Sequence, residues 1–202
     1  MRSIEEEIED YIQEMQEVMS LLPKGTLKEI IKILFDAYQN GKQVFTMANG
    51  GPASTASHWA QGLLRYPIIS EKKDRVVIKK RLRAYSLCND VATLTGWAND
   101  LGYKYCFSEQ LGNLLNEGDV VIGFTGSGHS KNILEAFKKA KKMGAITICF
   151  SGATGGKAKE IADITFLVPT DNPDLVEDIH VSLGHFCCKV LSRMIRKKVG
   201  DW

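Results

Sequence analysis

Apolar residues along this chain of 202 residues fall into alternating helix-like and strand-like segments. Ile4, Ile8, Tyr11, Met15, Val18 and Leu22 recur at spacings of four and three, the stripe of an amphipathic, coiled-coil-like helix over residues 3–22. Such a stripe can pack on its own domain or on a partner subunit. Pro23-Lys24-Gly25 interrupts it. Thr26 and Glu29 read as a capping box opening a second helix through Tyr38, and Asn40-Gly41 closes that helix. Beyond it, short apolar runs at 43–48, 82–87, 119–124, 145–150 and 163–168 read as strands. Helical patterns at 53–64, 89–97, 106–115, 130–142, 156–161 and 174–197 separate or follow them. This alternation predicts βαβ units and a mainly parallel sheet with helices on both faces. We therefore expect one α/β domain over 1–202, with a helical pair at 1–40 and an α/β core at 41–202. Segment 66–81 is charged and aperiodic and reads as a loop, with a candidate short strand at 76–78.

Two strand-to-helix turns carry candidate chemistry. Thr125-Gly126-Ser127-Gly128-His129-Ser130 follows the apolar run Val120-Val121-Ile122 and precedes Ile133, Leu134 and Phe137 at helical spacing. A Gly/Ser turn there sets backbone N–H groups and hydroxyls at a helix N-terminus, which suits a phosphate dianion. A plain turn capped by Ser127 or Ser130 is the alternative. The second turn, Asn49-Gly50-Gly51-Pro52-Ala53-Ser54, follows Gln43–Met47, and its paired glycines let backbone approach a ligand closely. Both turns could address one anionic or polyhydroxylated ligand off the carboxyl ends of the strands. Neither matches GxxxxGK[ST] or GxGxxG, so nucleotide binding is not indicated.

Charge narrows the classes further. A net charge of +2 gives no special attraction to nucleic acid or membrane. The basic cluster Lys72, Lys73, Arg75, Lys79, Lys80, Arg81 and Arg83 lacks interleaved aromatics for base stacking and reads as a solvated edge. Five cysteines without a CxxC pair suggest buried thiols in a reducing cytoplasm. The acidic start at Glu5, Glu6 and Glu7 is the reverse of a signal peptide, and no apolar run nears the roughly 20 residues that span a bilayer.

Taken together, Asn49-Gly50-Gly51, His58-Trp59-Ala60, Asn99-Asp100-Leu101-Gly102, the Thr125–Ser130 turn, Ser151-Gly152 with Gly155-Gly156-Lys157, and Glu177-Asp178-Ile179-His180 followed by His185 resemble the SIS (sugar isomerase) domain family. The likeness is greatest to its phosphoheptose isomerase branch, which converts sedoheptulose 7-phosphate to a heptose phosphate, and it covers nearly the whole chain. It implies a three-layer α/β/α sandwich with a five-stranded parallel sheet, of flavodoxin-like kind, and a homotetramer with active sites between subunits. It implies a phosphorylated sugar as ligand. Thr125, Gly126, Ser127 and Ser130 would hold the phosphate. Asn49, Gly50 and Gly51, with Asn99, Asp100 and Glu177, would line the sugar. His58, Glu177 and His185 fall where the family places zinc ligands, and His185 also at its catalytic base.

The departures matter as much. Family isomerases carry Glu where this chain has Gly62, four residues after His58 and on the same helix face. Gly is neither a ligand nor a base, and inside a helix it costs roughly 1 kcal/mol against Ala. Such a glycine needs a reason, either room for a ligand, with a side chain at 62 then projecting toward the pocket, or the close approach of another helix. Gln is usual at Glu177, Ser at Pro52, and Asn or Lys at His129. Glu177 and His185 lie about 12 Å apart along a regular helix, a long reach for one ion unless Glu177 lies in an irregular first turn or the ligands come from different subunits. His180 reads as structural or interfacial, and Asp174 as either an alternative acid or the cap of the last helix. Aldose–ketose isomerisation needs a base near neutral pKa and a group that stabilises an oxyanion. The first reading is a phosphoheptose-type isomerase with an altered acid/base set. The alternatives are a non-catalytic phosphosugar- or protein-binding module, like the DnaA initiator-associating proteins that also lack that Glu, and an isomerase for another phosphosugar.

Overall fold

The computed structural model describes residues 2–68, 80–152 and 154–199. Five strands, β1 (Gln43–Ala48), β2 (Arg83–Ser86), β3 (Val120–Thr125), β4 (Ile146–Ser151) and β5 (Ile164–Leu167), form one parallel sheet in the order β2-β1-β3-β4-β5. Each coincides with an expected apolar run to within a residue or two. Eight α-helices accompany them among the described residues: α1 (Ile4–Leu21), α2 (Lys24–Asn40), α3 (Gly51–Arg65), α4 (Val91–Leu101), α5 (Ser108–Leu114), α6 (Lys131–Lys142), α7 (Ala158–Ile161) and α8 (Pro173–Val199). The candidate strand at 76–78 and most of the basic cluster lie outside the described residues.

Alternate side chains of a strand point to opposite faces. Val44, Ile122, Phe124 and Phe150 therefore share a core with α2, α3 and α8, while Phe45, Met47, Val121 and Cys149 share another with α5, α6 and α7. Helices on both faces of a parallel sheet make three layers. The chain runs outward from β1 to β2 and then back across to β3. Turns leaving the neighbouring strands β1 and β3 thus diverge, and the crevice between them is the usual ligand position in such sheets.

Trp59 is the centrepiece of the first core. It is fully buried, with ring centroids 5.4 Å from Phe124 and 5.0 Å from Phe150, and its Nε1 donates to the His180 carbonyl at 2.9 Å. Burying a side chain of this size contributes on the order of 2–3 kcal/mol or more. A Cβ at Gly184 would stand 2.5 Å from Trp59 Nε1, so glycine is what lets α8 meet the indole. The two helices run parallel, with Gly51 beside Glu177, His58 beside His185, and Tyr66 accepting from Ser192 at 2.9 Å through its carbonyl.

Local signals were partly misleading. Helix α2 starts at Lys24 with Pro23 as its N-cap and no side-chain cap bond, so Thr26 and Glu29 do not form the expected capping box. A capping box does form at Ser3 and Glu6, which opens α1. Asn172, not Asp174, caps α8: its Oδ1 accepts from the Asp174 N–H at 3.1 Å. The α1 stripe is only half used. Val18 is buried and Met15 and Leu22 pack on the core, whereas Ile4 and Ile8 are 76% and 54% exposed. All five cysteines are free, and burial pushes Cys149 and Cys188 up to about 12, as suits inert thiols. No helix among the described residues is long and apolar enough to cross a membrane.

His180 is buried at 1% exposure, with its ring against Phe124 and Phe150. Burial lowers its pKa from 6.5 to about 4, against the raising effect of a hydrogen bond with the Ser151 backbone. A histidine whose folded pKa is depressed stabilises the fold fully above its unfolded value and loses that contribution as pH falls toward the folded one. We predict that unfolding free energy drops by about 3 kcal/mol through this group between pH 6.5 and 4. Urea titrations of a His180→Phe variant should show a flatter slope over that window; an unchanged slope would refute the assignment.

Candidate active site at the β1–β3 crevice

The β3–α6 turn is held by its own hydroxyls and by a neighbouring glycine turn. Thr125 Oγ1 accepts from the Gly128 N–H at 3.2 Å and lies 3.2 Å from Ser130 Oγ. The His129 N–H donates to Ser127 Oγ at 3.3 Å. Ser130 is the N-cap of α6 but makes no side-chain cap bond, so its hydroxyl is not committed to the helix. Gly128 has φ +68°, and a Cβ there would lie 2.0 Å from the Gly155 carbonyl oxygen. A Cβ at Gly156 would in turn lie 2.5 Å from the Ser127 carbonyl oxygen, so glycines at 128 and 156 let these two turns touch. Gly152 N–H to Gly126 O at 3.0 Å and Ala158 N–H to Gly128 O at 2.9 Å complete the brace. A rigid turn with exposed Ser127 and half-exposed Ser130 at a helix N-terminus is competent to hold a phosphate.

Across the crevice, Asn49 leaves the end of β1. Its Nδ2 donates to Asn132 Oδ1 at 2.9 Å, and Asn132 Nδ2 returns a bond to Asn49 Oδ1 at 2.7 Å. The Tyr103 hydroxyl also donates to Asn49 Oδ1 at 2.9 Å. Asn132 and Tyr103 were missed by sequence reasoning. One reads as an ordinary early-helix residue, and the other follows the Asn99-Asp100 motif without a spacing signal. Asn99 and Asp100 themselves are exposed at the end of α4, Asn99 Nδ2 donating to Asp100 Oδ1 at 3.0 Å. Among the described residues no hydrogen bond joins them to either turn.

Glu177 sits over the first turn of α3, where a Cβ at Gly51 would meet its Oε2 at 3.0 Å. Desolvation raises its pKa, and Asp174 and Asp178 raise it further. His58 and His185 meet two turns along α3, with Nε2 atoms 2.6 Å apart and rings edge to face at 4.7 Å. Desolvation lowers the His58 pKa first, and the charges of His185 and Arg65 add to it. Beside this pair lies an open depression of about 480 Å3, lined by Ala53, Ser54, Ser57, His58, Gln61 and Cys88.

The three expected zinc ligands are not gathered in one place. Zinc takes three or four convergent ligands. His58 and His185 converge, but Glu177 stands at Gly51, about 10 Å away along α3. No cluster of three His, Cys, Asp or Glu side chains able to hold a metal occurs among the described residues. One protomer therefore does not fit the ion. At Gly62 the reason is a close helix and not room for a ligand. The residue is buried, and a Cβ there would point at Cys188 Sγ, 2.8 Å away, so position 62 faces α8 and not the open depression.

A parallel 2-1-3-4-5 sheet with a hydroxyl-lined turn at its switch point defines a class, and comparison with known proteins agrees. Residues 9–152 match the SIS domain, and the chain belongs to the SIS domain family. Its relatives are more particular. It is 36% identical to a phosphoheptose isomerase of Helicobacter pylori strain P12 over 85% of both chains, and 37% identical to one of Aquifex aeolicus over 83% of both. A solved phosphoheptose isomerase from Francisella tularensis superposes with a TM-score of 0.83 at 27% identity, covering 95% of this chain and all of that one. Another from Neisseria gonorrhoeae gives 0.82 at 25% identity with the same coverage.

We predict that Ser127→Ala with Ser130→Ala weakens binding of a sugar phosphate by roughly 1–3 kcal/mol, the usual loss for hydrogen bonds to a charged group. Titration calorimetry measures this directly, and unchanged affinity in the double variant would remove the phosphate assignment from this turn.

Proposed function

We propose that this chain is a phosphosugar isomerase interconverting an aldose and a ketose phosphate, with sedoheptulose 7-phosphate the first substrate to test. The observation that carries this reading is the braced hydroxyl turn at the β1–β3 crevice, in a chain whose relatives are phosphoheptose isomerases along most of their length. The turn would anchor the phosphate, and the Asn49 side would meet the sugar oxygens.

His185 would take the proton from the carbon beside the carbonyl. The C–H electron pair becomes the C=C bond of an enediolate, and the carbonyl oxygen takes up the negative charge. Returning the proton to the neighbouring carbon, while the hydroxyl proton passes between the two oxygens, gives the isomer. Desolvation lowers the His58 pKa and so favours its neutral ring, and its Nε2 lies 2.6 Å from His185 Nε2, within reach for passing a proton. Gly62 contributes no carboxylate to this exchange.

The His58–His185 pair is exposed in the single chain, and Phe186 beside it is 50% exposed. Ile4 and Ile8 are exposed on the unused half of α1. Exposed apolar side chains on α1, and Phe186 beside an open site, support a homotetramer whose sites are completed between subunits. Light scattering should then give about four times the 22.5 kDa chain mass. A truncation of residues 1–22 that keeps both mass and melting temperature would contradict the role of α1.

A second reading has a specific observation in its favour. The direction a side chain at 62 would take is filled by Cys188, so the chain is built without the family's carboxylate. That suits a non-catalytic module that binds a phosphosugar. Incubation with sedoheptulose 7-phosphate, with and without added zinc, separates the two. The first reading expects heptose phosphate to form and His185→Ala to lower kcat by roughly 100-fold or more. Binding without product in both conditions would put the module reading first.

A further inference from the structure

The amides of Asn49 and Asn132 can be counted donor by donor. A carboxamide has two N–H donors and an oxygen with two acceptor positions. Asn132 uses all four: Nδ2 donates to Asn49 Oδ1 and, at 3.5 Å, to Cys106 Sγ, while Oδ1 accepts from Asn49 Nδ2 and from the Ile133 N–H at 3.0 Å. It is also buried at 3% exposure. The Ile133 N–H can only donate, so it fixes which end of Asn132 is oxygen. Asn132 in turn fixes which end of Asn49 is oxygen, and both acceptor positions of that oxygen are taken by Asn132 and the Tyr103 hydroxyl. One N–H of Asn49 is left over, on a half-buried side chain at the carboxyl end of β1.

From this count we infer that Asn49 serves the substrate as a single, oriented hydrogen-bond donor to an acceptor oxygen of the open-chain sugar, and that Asn132 and Tyr103 are positioning residues that hold it so. The inference rests on the phosphosugar reading of the site and adds to it the polarity of one contact. It also ties the two halves of the crevice together. Asn132 lies in the first turn of α6, directly after the Thr125–Ser130 turn, and Tyr103 follows the segment that carries Asn99 and Asp100. Without the pair, the Asn49 amide could rotate and present its oxygen instead, which would repel a carbonyl oxygen and lose the bond.

A double-mutant cycle tests this. Tyr103 is about half exposed, so Tyr103→Phe removes one hydroxyl without disturbing the core. We expect Tyr103→Phe to lower kcat/KM for sedoheptulose 7-phosphate roughly 3- to 10-fold, the worth of one neutral hydrogen bond, and to leave the affinity for inorganic phosphate within about twofold. In an Asn49→Ala background the same change should have no further effect, because a residue acting through Asn49 has nothing left to orient. Asn132→Asp, which keeps shape but loses the donor to Asn49 Oδ1, should behave alike. Effects that add in the Asn49→Ala background, or a Tyr103→Phe enzyme with wild-type constants, would overturn the inference and leave the isomerase reading standing. A wild type that binds the sugar phosphate without turning it over, yet shows the cycle in calorimetric affinity, would overturn the isomerase reading and keep the inference. Failure of the wild type to bind sugar phosphate at all would overturn both.

Discussion

Helices α3 and α8 run side by side in the same direction, and the gap between them decides where every titratable group of the site stands. Gly184 admits the Trp59 indole, and Gly62 admits Cys188, so the two backbones approach more closely than larger residues would allow. Cores are packed too tightly to absorb extra atoms at such points. The approach brings Glu177 to Gly51 and His185 to His58, two turns apart. It also buries His180 under Phe124 and Phe150. The His58–His185 contact, the displaced Glu177 and the missing carboxylate at 62 are thus consequences of one helix–helix interface.

The sheet supplies the other half of the site. Its strand order opens a crevice where the chain changes direction, and the two turns that face each other there come from β1 and β3. Glycines at 128 and 156 let two backbone turns touch, and that contact stiffens the Thr125–Ser130 turn from outside. The amide pair of Asn49 and Asn132 then bridges the crevice. The turn proposed to anchor the phosphate and the Asn49 amide are held by backbone and buried side chains, whereas the histidines lie on an exposed helix face. On the proposed function, the braced part of the site would bind and the exposed part is where a neighbouring subunit would complete the chemistry.

Much of this was legible in the sequence. All five strands coincide with apolar runs, because a strand buried on both faces has little room for polar residues. The two strand-to-helix turns after β1 and β3 were visible because glycine and serine clusters punctuate such junctions. Less was legible where the decisive partner is remote in sequence. Local capping rules gave way at α2, where Thr26 and Glu29 match a capping box but the helix begins earlier, at Lys24. Asn132 bonds to Asn49, 83 positions away, and nothing in its own segment announces that. A close helix was one of two reasons open for Gly62, and the spacing after His58 could not decide between them because the direction of position 62 depends on where α8 lies.

The central claim is that this crevice moves a proton between adjacent carbons of a phosphorylated sugar. It is tested most directly by running the reaction in D2O and following the sugar phosphate by mass spectrometry and proton NMR. A base that abstracts and returns a carbon-bound proton through an enediolate exchanges it with solvent. The account predicts deuterium at the carbon next to the carbonyl, introduced at a rate that falls with His185→Ala. Sugar phosphate that stays bound to the protein but free of deuterium after long incubation would contradict it.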